Sequence, residues 1–194
     1  MLAHPSRRRF LKKATFAVAG GTLLAACASR SNSKWRFFTD EEAQLVDLLT
    51  EQIIPTDDSP GAIQAGCLNF IDKQLMGPYE RYQTDYRQGL LSLEKTCRQL
   101  HGKSFKYLAW EQQTEILMIL ESGRVDAALW PSVSPQHFFA LINAHTLQGF
   151  YGSPRHGGNR NFISYKMLDL DIPHIIGQNR YTQGRDRPNG WIAE

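Results

Sequence analysis

Cysteine is scarce in this chain, with only three among 194 residues, and none lies in a Cys-x-x-Cys-His motif. That motif supplies the two thioether links and one axial ligand of a c-type haem, so its absence excludes a c-type cytochrome. Iron–sulfur clusters need several cysteine ligands, which a chain with two cysteines after Cys27 does not offer. The histidines that could ligate a metal also lack the close spacing of a helical ligand set. They are His137, His145, His156 and His174.

The chain also lacks the glycine-rich turn between a strand and a helix that dinucleotide cofactors need. Gly20-Gly21 lies in an apolar N-terminal stretch, and Gly157-Gly158 follows no recognisable strand. Gly152-Ser153-Pro154 has no glycine two positions after the serine, so it is not a nucleophile elbow. The sequence therefore predicts no catalytic residue, no cofactor-binding residue and no metal ligand in this chain.

A long hydrophobic run is missing as well, since the apolar stretch from Ala14 to Ala26 has only thirteen residues. As a helix it would rise about 20 Å, which is less than the roughly 30 Å of bilayer hydrocarbon. A cationic cluster, Ser6-Arg7-Arg8-Arg9-Phe10-Leu11-Lys12, precedes it. This order is typical of an export signal, and Arg7, Arg8, Phe10 and Leu11 make it a twin-arginine signal. We therefore expect export of a folded protein to the periplasm.

The leader ends in Leu24-Ala25-Ala26-Cys27, which resembles the lipobox of bacterial lipoproteins. Lipidation of Cys27 would attach the protein to a membrane, and ordinary cleavage near Ala26 to Ala28 is the alternative. We expect residues 1–26 to be the signal peptide, 27–34 a flexible tether and 35–194 one helical domain. Without residues 1–26 the formal net charge changes from +3 to −2, so the sequence does not indicate a nucleic-acid partner.

Cys67 and Cys97 are the cysteines of the expected domain. An oxidising destination would allow them to form a disulfide, and two buried free thiols are the alternative. Their spacing does not show whether their Cα atoms come within disulfide reach.

Helical spacing of apolar residues recurs through most of the expected domain. Thr39-Asp40-Glu41-Glu42 is a capping box, and a helix should follow it and end before Pro55. Tyr79 to His101 should form the longest helix, with Gly102 as its C-terminal cap. Ser134-Pro135 should begin another helix. The sequence predicts a mainly α fold: one compact domain of four or five helices, with a long irregular C-terminal tail from Gly149 onward.

The segment from Gly149 to Asn161 alternates glycine with aromatic residues and arginine. Exposed aromatic and arginine side chains are enriched at interface hot spots, so this segment is a candidate binding surface. The alternative is an elaborate loop that packs on its own domain. The candidate partner contacts are Phe150, Tyr151, Arg155, Asn159 and Arg160.

Several of these motifs together resemble one protein family. They are the twin-arginine leader, Pro60-Gly61-Ala62, Ala65-Gly66-Cys67-Leu68-Asn69-Phe70-Ile71-Asp72, Gly89-Leu90-Leu91-Ser92-Leu93, and His145 followed by Gly149-Phe150-Tyr151 and Gly157-Gly158-Asn159. The chain is similar over most of its mature length to the small subunit, subunit 3 or gamma chain, of membrane-associated gluconate 2-dehydrogenase. It is similar in the same way to the small subunits of FAD-dependent glucose, sorbitol and fructose dehydrogenase complexes.

The resemblance implies an accessory subunit that carries no cofactor. In that family a separate large subunit holds FAD, and a multihaem cytochrome c subunit accepts the electrons and carries the haem. A large subunit without its own leader would cross the twin-arginine translocase together with this chain, as a folded pair. This chain would then bind, stabilise and export the flavoprotein.

The chain departs from the family at a few positions. His156 stands where the family often has tyrosine, and Asp169-Leu170-Asp171 replaces a usual proline-glycine. Two other functions stay open at this point. One is a free-standing periplasmic enzyme or redox protein that uses His145 and His156, and the other is a structural envelope lipoprotein attached at Cys27.

Overall fold

A computed structural model describes residues 34–170 of the chain, and within that range the fold is helical throughout, with no strand. The α-helices are α1 Asp40–Ile53, α2 Ala62–Ala65, α3 Cys67–Leu75, α4 Gln83–His101, α5 Trp110–Ser122, α6 Pro135–Tyr151 and α7 Ile163–Met167. Five short 3-10 turns lie between them: Glu80–Tyr82, Phe105–Tyr107, Ala127–Leu129, Pro154–His156 and Arg160–Phe162. The mainly α prediction is confirmed.

The ends of the longer helices follow the local signals in the sequence. The Thr39 side chain accepts a hydrogen bond from the Glu42 backbone N–H at 3.2 Å, and the Glu42 carboxylate accepts one from the Thr39 N–H at 2.9 Å. This reciprocal pair is the predicted capping box. Helix α4 is the longest of the described part, and Gly102 ends it with a φ of 68°, in the left-handed region that glycine tolerates. Ser134 caps α6, as predicted.

The main core lies where α4, α5 and α6 pack with α1 and α3. Its largest fully buried side chains include Tyr86, Phe105, Phe138, Leu49 and Ile116. Helices α4 and α6 approach closely at Gly89, where an added Cβ would lie 2.1 Å from the Phe138 ring. A larger residue at this position would push the two helices apart.

The predicted irregular tail begins slightly later than Gly149, because α6 continues to Tyr151. Two 3-10 turns follow, and the mixed sequence after Phe162 forms the short helix α7. None of the helices among residues 34–170 is long and apolar enough to cross a bilayer. The twin-arginine residues, Cys27 and His174 lie outside the described residues.

The chain enters the domain along a segment that is held by one carboxylate. Asp72 of α3 is fully buried, and its Oδ1 accepts hydrogen bonds from the N–H groups of Phe37 and Phe38 at 2.8 and 3.2 Å. The Arg36 N–H donates to Oδ2 at 2.9 Å, and the Arg36 guanidinium lies 3.3 Å from the same oxygen. Arg87 donates to the Phe37 carbonyl at 2.7 Å and pairs with Glu42. These bonds fix the start of the domain before α1 begins.

Candidate partner-binding surface

The loop after α6 folds back onto the helix that precedes it. The Asn159 N–H donates a hydrogen bond to the Gly149 carbonyl at 2.7 Å. A Cβ at Gly158 would lie 2.1 Å from that carbonyl oxygen, and a Cβ at Gly149 would lie 3.1 Å from the Phe70 ring. Glycine is therefore needed at Gly158, because the two backbone segments touch there.

Asn159 holds the loop after α6 in place through hydrogen bonds. It is fully buried with a φ of 41°, and its side-chain amide donates to the Gly152 carbonyl at 2.8 Å. Its side-chain oxygen accepts from the Ser164 N–H at 3.0 Å, which ties the loop to α7. Asn159 is therefore not available as the partner contact that the sequence suggested, since all of its polar groups serve the loop itself.

Phe150 also differs from the sequence-based expectation, because it is fully buried in a small second cluster with Ala62, Ala65 and Cys67. Its ring meets the Tyr151 ring edge-on at 4.9 Å between centroids. The apolar face of α6 extends one turn beyond the predicted helix, and this extension brings Phe150 inside. Phe150 thus supports the surface and does not belong to it.

Three of the five predicted contacts are exposed: Tyr151, Arg155 and Arg160. We call them the exposed loop residues. Tyr151 keeps 43% of its accessible area. Arg160 lies against Gly66, with a guanidinium nitrogen 3.2 Å from the position of an added Cβ there. Burial and Glu51 raise the pKa of Asp47 on α1, and the charges of Lys34 and Arg160 partly oppose that rise.

Helix α3 holds the carbonyls of this loop with a row of donors that the sequence analysis missed. The Asn69 side chain donates to the Gly157 carbonyl at 2.7 Å, Lys73 donates to the Arg155 carbonyl at 3.0 Å, and Gln74 donates to the His156 carbonyl at 3.2 Å. Asn69 and Lys73, four residues apart, form a polar row on one side of α3, whereas Gln74 is buried beside the apolar face. This polar row is the feature of the sequence from which the contact with the loop could have been predicted.

The exposed end of the loop is positively charged. Within residues 34–170 neither Lys73 nor Arg155 forms an ion pair. Arg155 Nε donates to His156 Nε2 at 2.9 Å, which requires a neutral imidazole. Desolvation, together with the charges of Arg155 and Lys73, lowers the pKa of His156. The exposed end of the loop is therefore positively charged without a protonated histidine.

His145 is the most enclosed histidine of α6 and lies in a stack of tyrosines. Its ring is parallel to Tyr79 at 4.4 Å between centroids, and its Nδ1 lies 2.9 Å from the Tyr86 hydroxyl. Burial, with a smaller contribution from Arg81, lowers the pKa of His145 to about 4. His145 is therefore a packed, hydrogen-bonded histidine of the core. The described residues contain no group of three or more His, Cys, Asp or Glu side chains placed to hold a metal.

Cys67 and Cys97 are both buried free thiols, so the suggested disulfide is absent and the alternative reading holds. Cys67 belongs to the small cluster around Phe150, whereas Cys97 belongs to the main core. Burial and nearby carboxylates raise the pKa of each thiol to about 12. Both therefore stay protonated at neutral pH and serve as small apolar core residues.

Comparison with known proteins adds the family. No curated protein and no solved structure matches the chain. A family model described as gluconate 2-dehydrogenase subunit 3 matches residues 40–171. The match starts at the first residue of α1 and includes every helix of the described part. The chain belongs to the gluconate 2-dehydrogenase subunit 3 family.

Proposed function

We propose that this chain is the non-catalytic small subunit of a periplasmic FAD-dependent dehydrogenase complex of the gluconate 2-dehydrogenase type. Its role is to bind the flavoprotein large subunit, to stabilise it and to export it by the twin-arginine route. Family membership supports an accessory subunit of a dehydrogenase complex. The proposal places FAD in the large subunit and haem in a multihaem cytochrome c subunit.

The observation that carries the proposal is the fixed backbone of the exposed loop. Asn69, Asn159 and Lys73 hold it at both ends, so Tyr151 and Arg155 are presented from a preorganised support. Preorganisation lowers the entropy cost of association. Tyrosine and arginine are typical anchors, and one such anchor can contribute about 2 kcal/mol or more to binding. The positive charge of Lys73 and Arg155 favours an acidic patch on the flavoprotein.

The leader gives the proposal its export step. The twin-arginine route accepts folded cargo, and a flavoprotein must fold to keep its FAD. A large subunit without its own signal would then depend on Arg7 and Arg8 of this chain. In the same proposal Cys27 carries the lipid that keeps the complex at the membrane.

Co-expression with the products of the neighbouring genes tests the binding step. A tag on this chain alone should recover a flavoprotein in stoichiometric amount, seen by its flavin absorbance and its mass. Arg155→Glu combined with Tyr151→Ala should lower that recovery at least tenfold. Lys95→Glu, which reverses an exposed charge on α4, is the matched control and should not change it. A solitary, colourless domain would refute the proposal.

The export step has its own test. Replacing Arg7 and Arg8 with lysine should leave the flavoprotein and its dye-linked activity in the cytoplasm. Cell fractionation would measure this distribution. Normal export of the flavoprotein from cells that carry this double variant would contradict the carrier role while leaving the binding role intact.

A further inference from the structure

Helix α5 carries large apolar side chains on its outward side as well as on the face that meets the core. Ile116, Leu117 and Leu120 point inward and are buried. Met118 and Trp110 point outward and keep 58% and 47% of their accessible area. A helix that needs only one covered face carries polar residues on the other. The outward apolar residues of α5 are therefore unexplained by the fold of this domain.

The outward face forms a groove of about 570 Å³ along α5. Trp110, Thr114 and Met118 follow one another at intervals of four residues and form a row along the helix. Glu111 and Glu115 lie beside that row, and Ile119 completes the apolar floor. Tryptophan is enriched at interface hot spots, and methionine adapts its shape to an apolar partner.

The groove is held in place by contacts to α1. Gln52 of α1 donates to the Trp110 carbonyl at 3.4 Å and to the Gln113 side chain at 2.9 Å. The Thr114 hydroxyl donates back to the Gln52 side-chain oxygen at 2.9 Å. The first turn of α5 is thus fixed before any partner arrives, which favours a defined docking surface.

The charges of the groove select the kind of partner. Glu111 forms no ion pair within residues 34–170, and the Glu115 carboxylate lies 3.9 Å from His101 Nε2. Arg124 also lines the groove, so Glu111 and Glu115 leave it with a net negative charge. That charge disfavours an anionic lipid surface and favours lysine or arginine beside the two glutamates. The exposed loop residues carry the opposite charge, so the two surfaces suit different partner segments.

We infer that the outer face of α5 docks an amphipathic helix of a partner subunit, whose apolar stripe is flanked by lysine or arginine. Such a helix inserts side chains at i, i+3, i+4 and i+7 into an apolar groove. Helix α5 has thirteen residues and is about 20 Å long, enough to accompany three to four turns of a partner helix. The inference rests on the proposed function, in which this chain is one subunit of a complex, and it adds a second contact.

Photo-crosslinking of the complex tests the inference directly. The photoreactive amino acid p-benzoyl-phenylalanine would replace Thr114, in the middle of the groove, in the full tagged chain co-expressed with the neighbouring gene products. After irradiation, mass spectrometry should map the adduct to a helix of another subunit with an apolar and basic pattern. Ala140, an exposed position on α6, is the control position for the same amino acid and should give no such adduct.

Substitutions in the groove make the test quantitative. Met118→Glu should lower the yield of the Thr114 adduct at least tenfold. Leu91→Glu is the matched control, because Leu91 is equally exposed at 57% but lies on α4, and it should leave the yield unchanged. Glu111→Lys with Glu115→Lys should also lower the yield. Exchanging the mapped lysines or arginines of the partner for glutamate should restore it.

The outcomes separate the inference from the proposed function. A wild-type preparation without flavoprotein overturns the proposed function. A preparation that contains flavoprotein but gives no Thr114 adduct overturns only the docking surface on α5. Adducts with a second copy of this chain, or with lipid, overturn it as well.

Discussion

Helix α3 holds the chain at two places, and it does so with opposite chemistry. At the entry, Asp72 is a single buried carboxylate that accepts the N–H groups of residues 36–38. The loop after α6, residues 152–162, is the exit loop, and there Asn69, Lys73 and Gln74 each donate to one carbonyl. The entry therefore depends on one charged group, whereas the exit loop depends on several weaker bonds that share the work.

The largest expected effect is at the entry. Asp72→Ala should lower the free energy of unfolding by about 4 kcal/mol, because several partly buried N–H donors and Arg36 lose their acceptor at once. Urea denaturation would measure the change. Asp126→Ala removes a carboxylate that accepts one exposed N–H, at 2.9 Å from Ala128, and should cost about 1 kcal/mol or less. Equal losses in the two variants would mean that the buried carboxylate at the entry stabilises the domain no more than an exposed one does.

Acid should destabilise the domain through His145 of α6, the helix that precedes the exit loop. The pKa of His145 is about 4 in the folded protein, below its usual value near 6.5. The unfolded chain therefore binds the extra proton first, and stability is lost as the pH falls from about 6.5 to 4. This loss should be about 3 kcal/mol.

His145→Gln keeps an acceptor for Tyr86 but cannot titrate. Its free energy of unfolding should fall about 3 kcal/mol less than that of the wild type between pH 7 and 4. Urea titrations at a series of pH values would compare the two proteins. If the unfolding free energies of the two proteins change with pH in parallel, the proton affinity of His145 is the same in the folded and the unfolded state.

An intermediate effect is expected where the exit loop crosses α6. Gly158→Ala would place a methyl group about 2.1 Å from the Gly149 carbonyl oxygen, so the crossing must open. The free energy of unfolding should fall by about 2 kcal/mol. Gly77→Ala is the control, since an added Cβ there would meet only the Gln74 carbonyl oxygen at 4.0 Å. Thermal denaturation of both variants would settle whether the crossing is tight.

The smallest effect concerns one bond of the exit row. Asn69→Ala removes the donor to the Gly157 carbonyl and should cost about 1 kcal/mol. Asn69→Asp should cost more, because a carboxylate would then face the Gly157 carbonyl oxygen, and the Arg36 guanidinium, 3.3 Å from Asn69 Oδ1, would offset only part of that cost. Urea denaturation of both variants would rank them. A loss of unfolding free energy as large as that of Asp72→Ala would mean that the Asn69 bond holds the exit loop without an equal contribution from Lys73 and Gln74.

Local signals explain which parts of the fold the sequence predicted. Thr39, Ser134 and Gly102 act within one helical turn, and the capping and termination they indicate are present. Burial of Phe150 and Asn159 depends instead on how α6 and the exit loop cross α3, which is a contact between distant segments. One local clue existed for Phe150, because the buried stripe of α6 continues from Phe138 and Ile142 to Thr146 and Phe150.

The sequence also contained a signal for exposed apolar residues on α5. The run Ile116-Leu117-Met118-Ile119-Leu120 is apolar at every position, and no amphipathic helix can bury all of it on one face. Sequence alone does not say which of these residues point outward. The packing of α5 against α6 decides that question, and it leaves Met118 outside.

The hydrogen bonds that Asp72 accepts should slow hydrogen exchange and limit proteolysis at the start of the domain. The amides of Arg36, Phe37 and Phe38 lie outside any helix, yet they should exchange with solvent as slowly as helical amides, because a buried carboxylate holds them. A protease that cuts after the exposed Lys34 would meet protected backbone two residues later. The helical domain should therefore stay folded after a cut that removes the residues before Trp35.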